Sequence, residues 1–303
     1  MKIAVLANSR LAVPTIIQLA QAQLINTIII PNIVHEGTDE LIMLAQNLGL
    51  GIQKIEKEHC TAQLSSCLHQ IQADVAMVFT FPYILSKDVL EIPKMGFYNF
   101  HFALLPEYRG ADPIFWQIRN RETHGGVSVH QMTTEMDKGP LVHIEKTAID
   151  SEDTYGMHMS KVAYAGIPAT QQLINALQQN PVPTKAQDEK QAKYYPKAGF
   201  KDVSIQWDAP SAEIKALIKA CNPWNKGAYT QIRGNSLRIV DAKISVHTDT
   251  EKKPGSILAS DDELLVLCGD QKCLSIQIIH IPEGFITGKQ FMEMGFKNPE
   301  CFH

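Results

Sequence analysis

No apolar run in this chain approaches the roughly 18 residues that a membrane-spanning helix needs. The longest, around Asp74-Val-Ala-Met-Val-Phe-Thr-Phe-Pro82, stops well short of that. The opening Met1-Lys-Ile-Ala-Val-Leu-Ala-Asn-Ser-Arg10 is too short and interrupted for a signal peptide, so the expectation is a soluble, cytoplasmic protein with no membrane partner. Charge of one sign is also missing. Lys and Arg total 28 against 32 Asp and Glu, a net charge of −4, which removes any whole-body attraction for nucleic acid and leaves no reason to expect DNA as a partner. The six cysteines (Cys60, Cys67, Cys221, Cys268, Cys273, Cys301) form no C-x-x-C pair, and no histidine lies near Cys268 and Cys273. They read as reduced structural thiols, and no metal is expected. The turn after the first strand, Asn8-Ser-Arg-Leu-Ala-Val-Pro14, carries no G-x-G-x-x-G, which disfavours a dinucleotide site of the usual kind. There is no internal repeat.

What is present is an ordinary globular mix, 45% hydrophobic and 20% charged over 303 residues, which is enough for two domains. Strand-like runs at Ile3–Ala7, Ile25–Pro31, from Ile52 and at Asp74–Thr80 alternate with helical patterns at Pro14–Ala22, Leu41–Gly49 and Thr61–Ile71. That alternation predicts an α/β domain, a Rossmann-like parallel sheet wrapped by helices, with ligands at the carboxyl ends of its strands. A helix follows Asp153, and the polar, proline-bearing stretch from Pro181 reads as a linker. Beyond it a helix at Ser211–Ala220 and short strands at Ala228–Ile232, Leu237–Ala242, Ser256–Ala259, Leu264–Cys268 and Leu274–His280 predict a small β-barrel. The expected division is therefore 1–180 for the first domain, 181–203 for the linker and 204–303 for the barrel.

The segment Tyr98-Asn-Phe-His-Phe-Ala-Leu-Leu-Pro-Glu-Tyr-Arg-Gly110 holds the densest chemistry. Asn99 and His101 are two apart, so on a strand both point to one face. An amide and an imidazole together can stabilise an oxyanion and move a proton at one carbon centre. Asp137, in Met132-Thr-Thr-Glu-Met-Asp-Lys-Gly139, places a carboxylate on a second loop, where it can hold His101 in its charged form. Spacing alone leaves the blander alternatives open: a solvated strand end for Asn99 and His101, a turn cap for Asp137. His124, His130, His143 and His158 read as structural or surface residues. Phe79, Phe81 and Tyr83 alternate, which suits a core or a flat-ligand wall.

The run Asn99 to Gly110, followed by Gly126-Val-Ser-Val-His-Gln-Met132 and Met136-Asp-Lys-Gly139, resembles the folate-dependent formyltransferase family. The likeness runs nearly the full length. It takes in Leu11-Ala-Val-Pro14, Tyr195-Pro-Lys197, Ile205-Gln-Trp-Asp-Ala-Pro-Ser211, Cys221-Asn-Pro-Trp-Asn-Lys-Gly-Ala-Tyr-Thr230, Pro254-Gly255 and Cys268-Gly-Asp270. It is strongest to the branch that acts on methionyl-tRNA; the branch that formylates a nucleotide-linked aminosugar can carry the same C-terminal domain. The resemblance implies an OB-like barrel at the C-terminus and 10-formyltetrahydrofolate as formyl donor. It makes Asn99, His101 and Asp137 the catalytic residues, with Asn99 and a protonated His101 donating to the oxyanion. It lays the folate along Tyr83, Ile84 and Leu85, against Ala103, Leu104, Leu105 and Pro106, and across the backbone of Thr133, Thr134, Glu135 and Met136.

Four places depart from the family pattern. Asn8-Ser9-Arg10 replaces the usual Gly-Thr-Pro, Ala103 a common serine, and Asp137-Lys138-Gly139 an Asp-Thr-Gly. After the second strand the tRNA enzymes carry a glycine-rich basic loop; here Pro31-Asn-Ile-Val-His-Glu-Gly-Thr-Asp-Glu40 is shorter and acidic. From Lys201 on there are 12 basic and 13 acidic residues, and 16 and 19 before it, so neither half has the cationic excess that phosphate neutralisation uses. The expected reaction is formyl transfer to a primary amine on an aminosugar nucleotide or other small metabolite. Initiator methionyl-tRNA is the alternative acceptor, and a folate-binding relative without turnover is a third reading that the intact triad opposes.

Overall fold

Five strands of five residues and two of eight build the sheet of the first of two units, which comprises Met1–Pro113, His124–Ala148 and Met159–Tyr195. The computed structural model describes residues 1–258, 260, 262–296 and 300–303. Strands Ile3–Ala7 (β1), Thr27–Pro31 (β2), Gly51–Ile55 (β3), Val75–Phe79 (β4) and Phe97–His101 (β5) lie parallel. Arg109–Gly110 (β6) leaves this sheet, and the chain rejoins it antiparallel as His124–Gln131 (β7) and Leu141–Ala148 (β8). The order is β3-β2-β1-β4-β5-β7-β8. Every residue of β1 and β4 is buried, the signature of central strands covered on both faces. Helices Val13–Gln21 (α1), Glu36–Leu48 (α2) and Cys60–Ile71 (α3) connect the first four strands, and the short Lys87–Leu90 (α4) precedes β5.

The helix after β2 begins five residues earlier than its apolar periodicity suggests. His35 caps it, its Nδ1 accepting the Gly37 N–H at 3.1 Å, and Glu36 and Asp39 occupy the first turn, where the helix dipole favours negative charge. The acidic half of the expected loop, Glu36 to Glu40, is thus helical. Gly49 closes α2 in the left-handed conformation at φ +67°.

Within the stretch read as a linker, Tyr194–Tyr195 (β9) pairs in parallel with β6, and Lys185 forms an antiparallel bridge to Leu141. The Tyr108 and Tyr195 rings stack at 4.8 Å.

The second unit comprises Ile114–Thr123, Ile149–His158 and Pro196–His303. Its strands Ala228–Ile232 (β10), Asn235–Thr248 (β11), Ile257–Leu258 (β12), Leu264–Leu267 (β13), Lys272–Ile281 (β14) and Gly284–Thr287 (β15) form an antiparallel sheet. They run β10-β11-β14-β13-β12, with β15 on β14. Register shifts along β11 from Ile239 to Thr248 bend it as bulges do, so the sheet curls. Helix Ser211–Ala220 lies where expected and buries Ile214, Leu217 and Ile218 in a core with Ile239, Leu274 and Phe291. β11 is longer than expected and β15 was not foreseen; Ala259, the end of one expected strand, lies outside the described residues. All six cysteines are free thiols. Among the described residues no helix is long and apolar enough to cross a membrane, and no group of side chains is arranged to hold a metal.

Candidate active site

β5 sets the site because its last residue is His101 and the same face carries Asn99. The antiparallel neighbour β7 brings His130 directly opposite Asn99, and their side chains meet, Asn99 Nδ2 to His130 Nε2, at 3.2 Å. Asp137 then closes the group. Its Oδ1 stands 3.7 Å from His101 Nδ1, 3.6 Å from His130 Nε2 and 3.5 Å from Asn99 Nδ2, while Oδ2 accepts the Gly110 N–H at 2.9 Å. The amide, the imidazole and the carboxylate that sequence spacing singles out therefore converge. His130, read beforehand as structural or surface, belongs with them. The signal for it was the strand pairing, invisible in a list of unconnected histidines.

Local backbone makes this possible. Asp137 takes φ 54°, a left-handed conformation that Asp tolerates better than most residues. Two residues on, a Cβ on Gly139 would lie 1.7 Å from the Gln131 carbonyl, so only glycine lets this turn lie against β7.

The electrostatics follow from burial. His101 is 6% exposed and Asp137 8%. Burial lowers the His101 pKa below its ordinary 6.5, with the Asp137 charge and the Tyr108 carbonyl opposing that and His130 adding to it. Burial acts to raise the Asp137 pKa, yet His101, His130 and the Gly110 N–H together hold it well below the usual carboxylate range. Burial thus works against the charged form of His101 that the carboxylate partner favours. The tautomer is set as well. His101 Nε2 lies 2.5 Å from the Tyr108 carbonyl, which can only accept, so Nε2 carries the proton and Nδ1 is the titrating atom facing Asp137.

The residues expected to hold folate separate by exposure. Tyr83 and Leu85 pack on one apolar cluster that also takes in Met132, Tyr83 lies edge-on to Phe81 at 5.2 Å, and Ile84 is 83% exposed. Phe79 is core, stacked on Phe100 at 4.3 Å. Ala103 and Leu105 are buried, and only Leu104 and Pro106 of that group present partly exposed side chains. Ser128 fixes this turn, donating to the Ala103 carbonyl at 2.6 Å and accepting the Leu105 N–H at 2.9 Å. Thr133, Thr134, Glu135 and Met136 are exposed on the loop leading to Asp137. Beside that loop a cavity of about 340 Å³ is lined by Arg109, Glu135, Met136, Lys138, Lys193 and Tyr194.

The other strand ends hold a different arrangement. Arg10, in the turn after β1, pairs with Glu36 at 3.2 Å and with Glu40 of α2. The single cation of the first loop is therefore already matched by two carboxylates.

At the carboxyl end of β5 a partly buried amide thus meets a buried imidazole and a buried carboxylate, the make-up of a candidate active site. The chain belongs to the formyl transferase family: residues 2–176 match the family's formyl transferase domain and residues 200–294 its C-terminal domain. Among similar proteins, a methionyl-tRNA formyltransferase of Pseudomonas putida is 35% identical over 218 residues, covering 72% of this chain and 69% of that one. Two solved structures share the fold at 16% identity with TM-scores of 0.69. One is WlaRD, a sugar 3N-formyl transferase in the presence of dTDP and 5-N-formyl-THF, matched over 91% of this chain and 97% of that one. The other is the N-formyltransferase of Helicobacter canadensis in complex with folinic acid and dTDP-3-aminofucose, matched over 91% and 98%.

Proposed function

We propose that this chain is a cytoplasmic enzyme that moves the formyl group of 10-formyltetrahydrofolate to a primary amine, with Asn99, His101 and Asp137 as its catalytic residues. The observation that carries the reading is the convergence of these three side chains on one buried point beside an exposed loop. The formyl group would lie against them and the reduced pterin along Tyr83–Leu85, Ala103–Pro106 and the backbone of Thr133–Met136.

In this reading the amine nitrogen attacks the formyl carbon, and the new C–N bond leaves negative charge on oxygen. Asn99 Nδ2 donates to that oxygen; one such donor is typically worth about 3–4 kcal/mol of transition-state stabilisation. Neutral His101 takes the amine proton on Nδ1, and the imidazolium so formed is stabilised by Asp137 and by the Tyr108 carbonyl on Nε2. Breaking the bond between the formyl carbon and the folate nitrogen consumes that proton, and tetrahydrofolate departs. The histidine thus acts as base first and acid second, which its burial-lowered pKa suits.

For the acceptor we favour an aminosugar nucleotide or another small amine over a tRNA end. Glu36 and Glu40 neutralise Arg10, and the segment after β2 supplies helix rather than a basic loop. The second reading, initiator methionyl-tRNA, is favoured by the naming of the relatives at 33–35% identity. Incubating the purified chain with 10-formyltetrahydrofolate and, separately, dTDP-3-aminofucose, charged initiator methionyl-tRNA and simple primary amines decides this, by tetrahydrofolate release and acceptor mass. Formylation of the tRNA alone, lost steeply with added salt, would overturn the small-amine reading. No formyl transfer to any amine would overturn the function.

A further inference from the structure

The turn that carries Asp137 is held from outside the strands. Gln187 Nε2 donates to two of its carbonyls, Asp137 O at 2.7 Å and Gly139 O at 2.8 Å. The Gln187 Oε1 accepts from Arg109, from Nε at 3.1 Å and from the terminal guanidinium nitrogen at 2.8 Å. Arg109 has only donors and the two carbonyls only accept, so the orientation of the amide is dictated by its partners. Arg109 is itself 5% exposed and pinned by Glu189 in a bidentate pair at 2.7 and 3.0 Å.

The residues on either side of Arg109 touch the catalytic groups directly. Tyr108 offers its carbonyl to His101, and Gly110 its N–H to Asp137. Gln187 therefore ties together the backbone on both sides of the carboxylate: the left-handed turn that carries it, and, through Arg109, the strand that hydrogen-bonds it.

We infer that Gln187 is a positioning residue for formyl transfer, fixing the Asp137 carboxylate against His101 by clamping the Asp137–Gly139 turn to Arg109. This rests on the reading of Asp137 as catalytic. A carboxylate displaced by an ångström at such a site costs on the order of a hundredfold in rate.

The test is Gln187→Glu and Gln187→Leu in the full chain. The glutamate keeps the side-chain length and still accepts from Arg109, but it presents no N–H to the two carbonyls. Both variants are expected to lower kcat, for whichever acceptor the incubation above shows to be formylated, by about tenfold to a hundredfold, with KM for 10-formyltetrahydrofolate within about threefold. Nuclear magnetic resonance supplies a readout that needs no turnover. The Gly110 amide proton should move upfield as its bond to Asp137 lengthens, and the His101 ring should titrate lower as the carboxylate withdraws. Wild-type Gly110 and His101 signals in both variants, or an unchanged kcat in Gln187→Glu, would overturn the inference. Full turnover by Asp137→Asn would instead sink the catalytic reading, while the Gly110 and His101 signals would still decide whether Gln187 positions the turn. If Gln187→Leu does not fold, Gln187→Glu decides alone.

Discussion

The two larger sheets of this molecule bury different things. Between Pro196 and His303 the buried polar side chains are hydroxyls, those of Ser211, Thr230, Ser256 and Ser275, among the described residues. Around β5 and β7 four ionisable groups, His101, Arg109, His130 and Asp137, are buried together. Taking charges out of water is unfavourable unless each finds partners, and replacing such a group by apolar residues is often neutral or stabilising. The antiparallel sheet is built as a core is built. The β5–β7 region retains a polar cluster that stability alone does not require, and such clusters concentrate where chemistry is done.

The strongest way to break that contrast is to remove the chemistry without the fold. His101→Ala and Asp137→Ala are each expected to lower turnover at least about a hundredfold, the scale of a lost general base or oxyanion partner. Affinity for folinic acid, an unreactive stand-in for the donor, should stay within a few-fold. Parallel losses in folate affinity and turnover would make these residues structural and erase the distinction between the two sheets.

Its mirror image is Leu274→Ala, in the buried stretch Cys273 to Ile276 of β14. Truncating a buried leucine there should lower unfolding free energy by about 2–5 kcal/mol. Below the unfolding transition, kcat per folded molecule should be unchanged. Denaturant titration and steady-state kinetics on one preparation check both halves.

How much of this was legible in advance follows the range of the interactions. Asn99 and His101 share a face because strands have a period of two, and that is written in adjacent residues. So are helix Ser211–Ala220 and the strand Ala228–Ile232, each bounded by a local signal. His130 was not legible, because its membership comes from the β5–β7 register, which no spacing within β7 states. Gln187 was still further from view: it sits in a polar stretch that reads as linker, and its meaning arises 50 residues away at the Asp137 carbonyl. The start of α2 was hidden for another reason. His-Glu-Gly-Thr-Asp-Glu has the composition of a loop, and only the cap and the dipole reveal it as a first turn. The electrostatics of His101 were only half legible, because sequence shows a carboxylate partner but not the burial that opposes it.

A third prediction sharpens the electrostatic side of the comparison. With Nδ1 as base, kcat/KM should fall as pH drops through the His101 pKa, on an acid limb below 6.5. In Asp137→Asn the residual activity should show that limb at still lower pH, because the carboxylate charge is what holds the value up. Stability should move the same way. The unfolded chain takes a proton on this histidine at the ordinary value while the folded chain resists it, so stability declines as pH falls below 6.5. Asp137 adds to the loss as pH drops past 3.8 toward its lowered folded value. An acid limb above 6.5, with stability rising on acidification, would mean that the carboxylate prevails over burial and that His101 rests charged.

The smallest expected effect lies at the first loop, where charge is exposed rather than buried. Glu36→Gln with Glu40→Gln removes both partners of Arg10 on the surface of α2. Exposed pairs of this kind contribute about 0–1 kcal/mol, so unfolding free energy should barely move, although the first turn of α2 loses some helix-dipole complement. The released guanidinium would then be available to an anion. If the acceptor carries phosphate and enters by this loop, its KM should fall a few-fold in the double variant while kcat and the KM for 10-formyltetrahydrofolate hold steady. An acceptor KM that does not respond would place the acceptor elsewhere and leave the acidic start of α2 without a part in choosing it. The same variant titrated with initiator methionyl-tRNA separates the two acceptor readings further, since a polyanion gains more from a freed cation than a single nucleotide does, and that gain disappears with added salt.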